Sequence, residues 1–266
     1  VSATAANPSD TGLEVVDIES AYAARPPRTH DPAAQREGIQ RIAHALVQNP
    51  ESILQTLVDS AVQLCGADSA GISIQREDAS ETEFYHWVAT AGDYSGFLNA
   101  VLPREPSACG ICLQRGRPQH FRVHQSFFDI LGVTAPLITD GILLPWSADG
   151  TQGTIFVMAH NRSEVFDLED CRLMQTLADF AALAIRQQKQ QKLLLERAGA
   201  TAAASMANQL AHKINNPLQS LTNLLFIAAE GHPTDAQVLG RQALAELQTL
   251  SSLVSQLLAL PVSPLV

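Results

Sequence analysis

The run Leu210-Ala211-His212-Lys213-Ile214-Asn215-Asn216-Pro217-Leu218 puts one imidazole inside a long helical pattern. A ring nitrogen is one of the few side-chain groups that can take a phosphoryl group and give it up again. That chemistry needs access from solvent, so the direction in which His212 points matters first. Ala207, Leu210, Ile214, Pro217, Leu221, Leu224 and Ala228 recur at alternating spacings of three and four, a heptad seam. With Ala207 and Ile214 at a and Leu210 at d, His212 falls at f, furthest from a helix partner. The spacing predicts an outward imidazole. It leaves a phosphate carrier and an ordinary solvated histidine both open.

The elements that must hold this residue follow from the same periodicity. Gly231-His232-Pro233-Thr234-Asp235 supplies a helix stop and a capping residue. Ala243, Leu244, Leu247, Leu250, Val254, Leu257 and Leu258 then form a wide stripe on a second helix. Two such stripes exceed what a lone hairpin can bury. The pattern therefore predicts an all-α antiparallel hairpin over residues 205–260 that forms a dimeric four-helix bundle, hence a homodimer.

Upstream, no proline interrupts the helical pattern between Leu168 and Pro217. A continuous helix to Glu230 would be roughly 90 Å long at 1.5 Å per residue. Met174, Leu177, Ala181 and Ala184 share one seam, out of phase with the seam through Ala207 and Leu210. The break falls near the polar run Gln187-Gln188-Lys189-Gln190-Gln191-Lys192, and Gly199 adds a weak spot. Residues 188–204 are read as a signalling linker helix, where rotation or sliding can pass between packed segments. A plain solvated linker fits the same residues.

The middle of the chain changes period. Ala70-Gly71-Ile72-Ser73-Ile74-Gln75 and Phe84-Tyr85-His86-Trp87-Val88-Ala89-Thr90 are strand-like. Ile142-Leu143-Leu144-Pro145-Trp146 and Gly153-Thr154-Ile155-Phe156-Val157-Met158 flank Asp149-Gly150, a strong hairpin signal. Helical patterns precede them at Ile39–Val47 and Ile53–Leu64, and residues 92–133 read as irregular with short helices. Antiparallel strands with helices at both ends indicate an α+β domain over residues 33–187. Residues 1–32, with Pro8, Pro26, Pro27 and Pro32, read as a mostly irregular N-terminal arm containing a short ordered segment at Leu13–Ile18. Residues 261–266 read as a tail.

Composition bounds the rest. The 266 residues are 46% hydrophobic with a formal charge of -10, enough for a core and adverse to nucleic acid. No apolar run reaches the length of a membrane span, and Val1-Ser2-Ala3-Thr4 does not open a signal peptide, so a cytoplasmic location is expected. Cys109 and Cys112 form a lone C-x-x-C, with Cys65 and Cys171 elsewhere. Without a second pair or nearby histidines, two small apolar residues on one helical turn are expected, and no metal site.

Two resemblances add to these readings. The segment His212 to Leu218, continued by Gln219-Ser220-Leu221-Thr222-Asn223-Leu224-Leu225 and the Gly231-His232-Pro233 turn, resembles the phosphoacceptor box of bacterial sensor histidine kinases. The resemblance implies that His212 is the phosphoacceptor and that Asn216, one turn on, orients a water for dephosphorylating the partner. It implies as partners a response regulator receiver domain and an ATP-binding domain, the latter in a parent chain or in trans, since no Asn or Gly-rich boxes occur here. One position departs from the family: Lys213 stands where an acidic residue accepts a proton from the attacking imidazole. A protonated amine cannot be that base. A non-catalytic regulator with a degenerate hairpin, or a phosphatase or phosphotransfer protein without autokinase activity, therefore stays open.

The α+β region resembles a GAF domain, through its two leading helices, Gly71-Ile72-Ser73-Ile74, Cys109-Gly110-Ile111-Cys112-Leu113-Gln114-Arg115-Gly116-Arg117-Pro118, Gly153-Thr154-Ile155 and Phe166-Asp167-Leu168-Glu169-Asp170. The resemblance implies a sensory pocket, with Trp87, Tyr85, Phe97, His120 and His124 as its candidate lining. The ligand is unknown, and the sequence requires no cofactor. Tetrapyrrole attachment in related domains uses a Cys-His pair, whereas Cys109 precedes Gly110 and Cys112 precedes Leu113. Haem ligation by His86, His120 or His124 remains open, as does a partial cyclic-nucleotide motif at Asn161-Arg162 with Phe166 and Glu169-Asp170.

Overall fold

A computed structural model of the chain describes residues 11–76, 83–229 and 236–258. The chain divides into two compact units, Val1–Gln191 and Lys192–Val266.

The first unit is built on one antiparallel sheet. Its elements are β1 (Leu13–Asp17), α1 (Ile18–Tyr22), α2 (Pro32–Gln48), α3 (Ile53–Cys65), β2 (Ser69–Gln75), β3 (Tyr85–Gly92), β4 (Val101–Leu102), α4 (Ala108–Arg115), β5 (Gln119–Val123), α5 (Gln125–Leu131), β6 (Ile138–Ala148), β7 (Thr151–Ala159) and the first part of α6 (Leu168–Ala229). The strand order is β1-β5-β6-β7-β2-β3-β4, antiparallel at every pairing. Asp149 and Gly150 join β6 to β7 with φ of 47 and 77°, the two-residue turn that their side chains favour.

Period-two alternation assigns the two sheet faces. Ile142, Leu144 and Trp146 of β6, with Ile155, Val157 and Ala159 of β7, pack under α2, α3 and the start of α6. Met174, Leu177, Ala181 and Ala184, the expected seam, close that layer and are all fully buried. Leu143, Phe156 and Met158 face the other way, toward α4 and α5. Local signals end the helices as their chemistry dictates. The Asp31 carboxylate accepts from Ala33 N ahead of Pro32, Ser107 Oγ accepts from Gly110 N, and Asp167 Oδ1 accepts from Glu169 N and Asp170 N at the head of α6.

One glycine is demanded by close approach. A Cβ at Gly153 would overlap the Ser73 carbonyl oxygen of the neighbouring strand and the Trp146 indole. The Ser73 carbonyl cannot yield without breaking the β2–β7 register, in which Gly153 opposes Ile74. Gly153→Ala should cost about 1–3 kcal/mol as overpacking, read as a lower midpoint in urea.

Two findings extend the expectations from sequence. The short ordered segment expected at Leu13–Ile18 is part of the sheet. Leu13–Asp17 forms an edge strand paired with Gln119–Val123, and Ile18 and Tyr22 enter the core. The sequence marks the segment but not its role, because its pairing partner lies about a hundred residues away. The second finding is a β-bulge. Ile72 pairs with Ala89 and Ser73 with Trp87, so Val88 is the extra residue. Ala89 and Ala91 face the helical layer, and strict alternation would send Trp87 there too. The bulge turns Trp87 to the opposite face.

The second unit contains the rest of α6 and α7 (Ala236–Leu258). Along α6 from Leu210, Pro217 is buried and Leu210, Ile214, Leu221 and Leu224 are half-buried, while His212 is exposed. On α7, Leu239, Ala243, Leu250 and Leu253 are the less exposed apolar positions. Leu244 and Leu247 of the expected stripe are 61% and 54% exposed, so the stripe is wider than one helix partner can cover. The expected Gly231–Asp235 turn, the side chains of Leu257 and Leu258, the tail and residues 1–10 lie outside the described residues. No described helix is long and apolar enough to cross a membrane.

Candidate functional site

A cavity of about 480 Å³ opens on the face of the sheet that carries α4 and α5. Its wall is aromatic: Trp87, Tyr94, Phe97, Phe121, Phe127 and Phe156 all contribute. The Trp87 ring lies 4.9 Å from Phe156 and stacks on Tyr94 at 6.0 Å, and Tyr94 meets Phe97 at 5.0 Å. The bulge at Val88 is what delivers Trp87 to this wall.

Most polar groups around the cavity are bonded within the protein, while the Nε1–H of Trp87 is buried without a partner. Tyr94 Oη donates to the Pro136 carbonyl at 2.7 Å, and burial pushes its phenol up. Behind it, His160 stacks on the Tyr94 ring and bonds Ser69 Oγ and the Leu137 carbonyl, each at 2.8 Å. Ser73 Oγ and Thr154 Oγ1 both donate to Cys109 Sγ, at 3.6 and 3.2 Å. Burial raises the Cys109 thiol against those bonds, which favours its neutral form. Cys112 donates to the Leu143 carbonyl, and all four cysteines are free and buried. Cys109 and Cys112 both pack into the core on this face of the sheet.

The sequence candidates separate in space. Trp87 and Phe97 come together on the cavity wall. Tyr85 lines an adjoining groove with Phe84 and Gly110, and burial pushes its phenol up to about 12. That groove shares Leu13, Glu105, Pro106 and Ser107 with the cavity. His124 is exposed at the N-cap position of α5, and His86 is half-buried opposite Ile74. His120 is not a pocket residue, because its Nε2 is bonded to Asp140 Oδ1 at 2.8 Å and its ring sits edge-on to Tyr22. Among the described residues no His, Lys or Arg lines the cavity. A haem would find no axial imidazole there, and the propionates of a tetrapyrrole would find no cation. Arg162 of the partial nucleotide motif is engaged elsewhere, by Asp68 at 2.6 Å and the Gly66 carbonyl at 3.1 Å. Sequence reasoning missed Phe127 and Tyr94 because they lie in stretches without periodicity. Phe156 carried a signal, since it alternates with Ile155 and Val157.

On the other side of the sheet a charged network fastens the N-terminal segment. Arg25 forks onto Asp140, with both nitrogen–oxygen distances 2.9 Å, and donates to the Phe166 carbonyl. Asp140 also accepts from Val165 N and Phe166 N, just ahead of α6. Burial opposes its charge, yet the bonds from His120 and Arg25 outweigh it and hold the carboxyl well below the usual range. Nearby, His30, Asp167 and Asp170 bring three donor atoms within 4.8 Å, the one such group among the described residues. These carboxylates already have work: Asp167 caps α6 and Asp170 pairs with Arg28 at 2.8 Å.

In the second unit, His212 stands exposed on α6. Lys213, Asn216 and Pro217 line a groove with Ala245, Glu246 and Thr249 of α7, on which His212 does not lie.

The GAF domain model matches residues 49–185. No curated protein matches the chain. Among solved structures, the second GAF domain of DevS from Mycobacterium smegmatis is 22% identical, covering 55% of this chain and 99% of that one, with a TM-score of 0.43. The GAF domain of an Acinetobacter phosphoenolpyruvate-protein phosphotransferase is 15% identical over 58% of this chain and 92% of that one, TM-score 0.46. A phycoerythrobilin-bound GAF domain from a cyanobacterial phytochrome is 14% identical over 61% of this chain and all 100% of its own, TM-score 0.46. With the family matched over more than half of its residues, this chain belongs to the GAF domain family.

Proposed function

We propose that the chain is the input and phosphoacceptor part of a two-component sensor of the histidine kinase type. The GAF cavity takes a small ligand, and His212 exchanges a phosphoryl group with a response regulator. The observation that carries this reading is the split on α6: Leu210, Ile214, Pro217, Leu221 and Leu224 turn inward while His212 stays in solvent. A ring nitrogen of His212 attacks the phosphorus, forming a P–N bond as the P–O bond to the donor breaks. The donor leaves as ADP or as a receiver carboxylate, and the ring proton passes to solvent or donor. The product adds about two negative charges at an exposed position, with little desolvation cost.

Asn216, exposed one turn from His212, is positioned in this reading to orient the water that dephosphorylates the receiver. The absence of an acid at Lys213 favours phosphotransfer over autokinase activity. The exposed Leu218, Leu225, Leu244, Leu247 and Val254 support pairing of two α6–α7 hairpins into a bundle.

The test is a phosphoryl label. The chain is incubated with a phosphorylated receiver domain and, separately, with a histidine-kinase ATP-binding domain and ATP. An acid-labile, base-stable label is expected, with complete loss in His212→Gln. No label from either donor would overturn phosphotransfer and leave a GAF regulator that dimerises through a degenerate hairpin.

A further inference from the structure

The cavity wall says more about its ligand than its volume does. About 480 Å³ is the size of a drug-like molecule's site. The described lining holds one charged side chain, Glu105, and that is exposed at the surface rather than buried. An anion entering this cavity would shed its water with no cation to meet it, and would face a carboxylate on the way in.

The mouth is apolar as well. Val101, Ile130 and Val133 line the cavity yet remain 42%, 55% and 40% exposed. Exposed branched residues around an opening are costly in water and favour an apolar guest. Of the lining hydroxyls, Tyr94 Oη donates to the Pro136 carbonyl and Ser107 Oγ accepts from Gly110 N. The indole Nε1–H of Trp87 is buried without a partner.

We propose that this cavity selects a neutral, flat, largely aromatic ligand and excludes anions, nucleotides and organic acids included. The proposal rests on reading the GAF unit as a ligand-binding input module. It does not depend on phosphoryl chemistry at His212.

Two probes that differ by one sulfonate test it: neutral N-phenyl-1-naphthylamine and anionic 1-anilinonaphthalene-8-sulfonate. Fluorescence titration of the full chain should show the neutral probe binding at least about tenfold more tightly, about 1.4 kcal/mol. Val133→Lys adds a cation at an exposed rim position, so folding is not at stake. It should shrink that preference at least about fivefold, mainly by strengthening binding of the sulfonate. Equal affinity for the two probes would overturn the proposal while leaving a ligand-binding cavity in place. A preference untouched by Val133→Lys would also overturn it, because binding would then lie elsewhere. No binding of either probe overturns both the ligand class and the input-module reading. A phosphoryl label on His212 would be unaffected by any of these results.

Discussion

Replacing Asp140 with Asn should lower the folding stability of the GAF unit by about 3–5 kcal/mol, which moves its melting temperature down by about 10 °C or more. Asn keeps an oxygen for Val165 N and Phe166 N but cannot accept from both nitrogens of Arg25. The guanidinium, whose side chain is 6% exposed, would then be buried without its counter-charge. His120 would lose its carboxylate partner in the same step. Stranding the charge costs more than losing the bonds themselves.

The same network makes the unit acid-sensitive. Asp140 is held well below the usual carboxylate range, as its bonds to His120 and Arg25 outweigh burial. Asp167 is likewise lowered, to about 2, by Arg28 N and His30 against burial. A carboxyl depressed in the folded state stabilises fully above its unfolded pKa, near 3.9, and loses that contribution as pH falls through the folded value. Asp170 acts in the opposite sense, because burial raises its pKa. Thermal melts should therefore hold steady from pH 7 to about 5 and fall steeply below about pH 4. The acid-induced fall should be smaller in Asp140→Asn. An equal fall in both proteins would remove Asp140 from this role.

Leu244→Glu combined with Leu247→Glu should abolish self-association, turning the homodimer of the proposed sensor into a monomer in light scattering. These side chains are 61% and 54% exposed on the single chain, whereas Ala243 and Leu250 of the same helix turn inward. Each helix thus has a second apolar strip that its own hairpin leaves in water. Leu218 and Leu225 are seven residues apart on α6, and Leu247 and Val254 are seven apart on α7. That is the repeat of a bundle seam. Carboxylates buried in such a seam would repel across the two-fold and lose their hydration. A wild-type chain that is already monomeric would overturn the pairing.

Much of this protein was legible along the chain because the relevant physics is local. The Asp149-Gly150 turn needs only positive φ at two residues, and the alternation of Ile155, Phe156, Val157 and Met158 assigns two sheet faces by itself. The Met174 to Ala184 seam and the outward direction of His212 follow from helical period alone. Other features depend on partners far away in sequence. Arg25 meets Asp140 across 115 positions, and His120 is drawn into that pair rather than toward the cavity. Leu13–Asp17 becomes a strand only because the edge of β5 is open to it. Most telling is Trp87, which period two would assign to the helical layer. The unpaired Val88 reverses its face, and a bulge is a property of two strands in register, not of either one read alone.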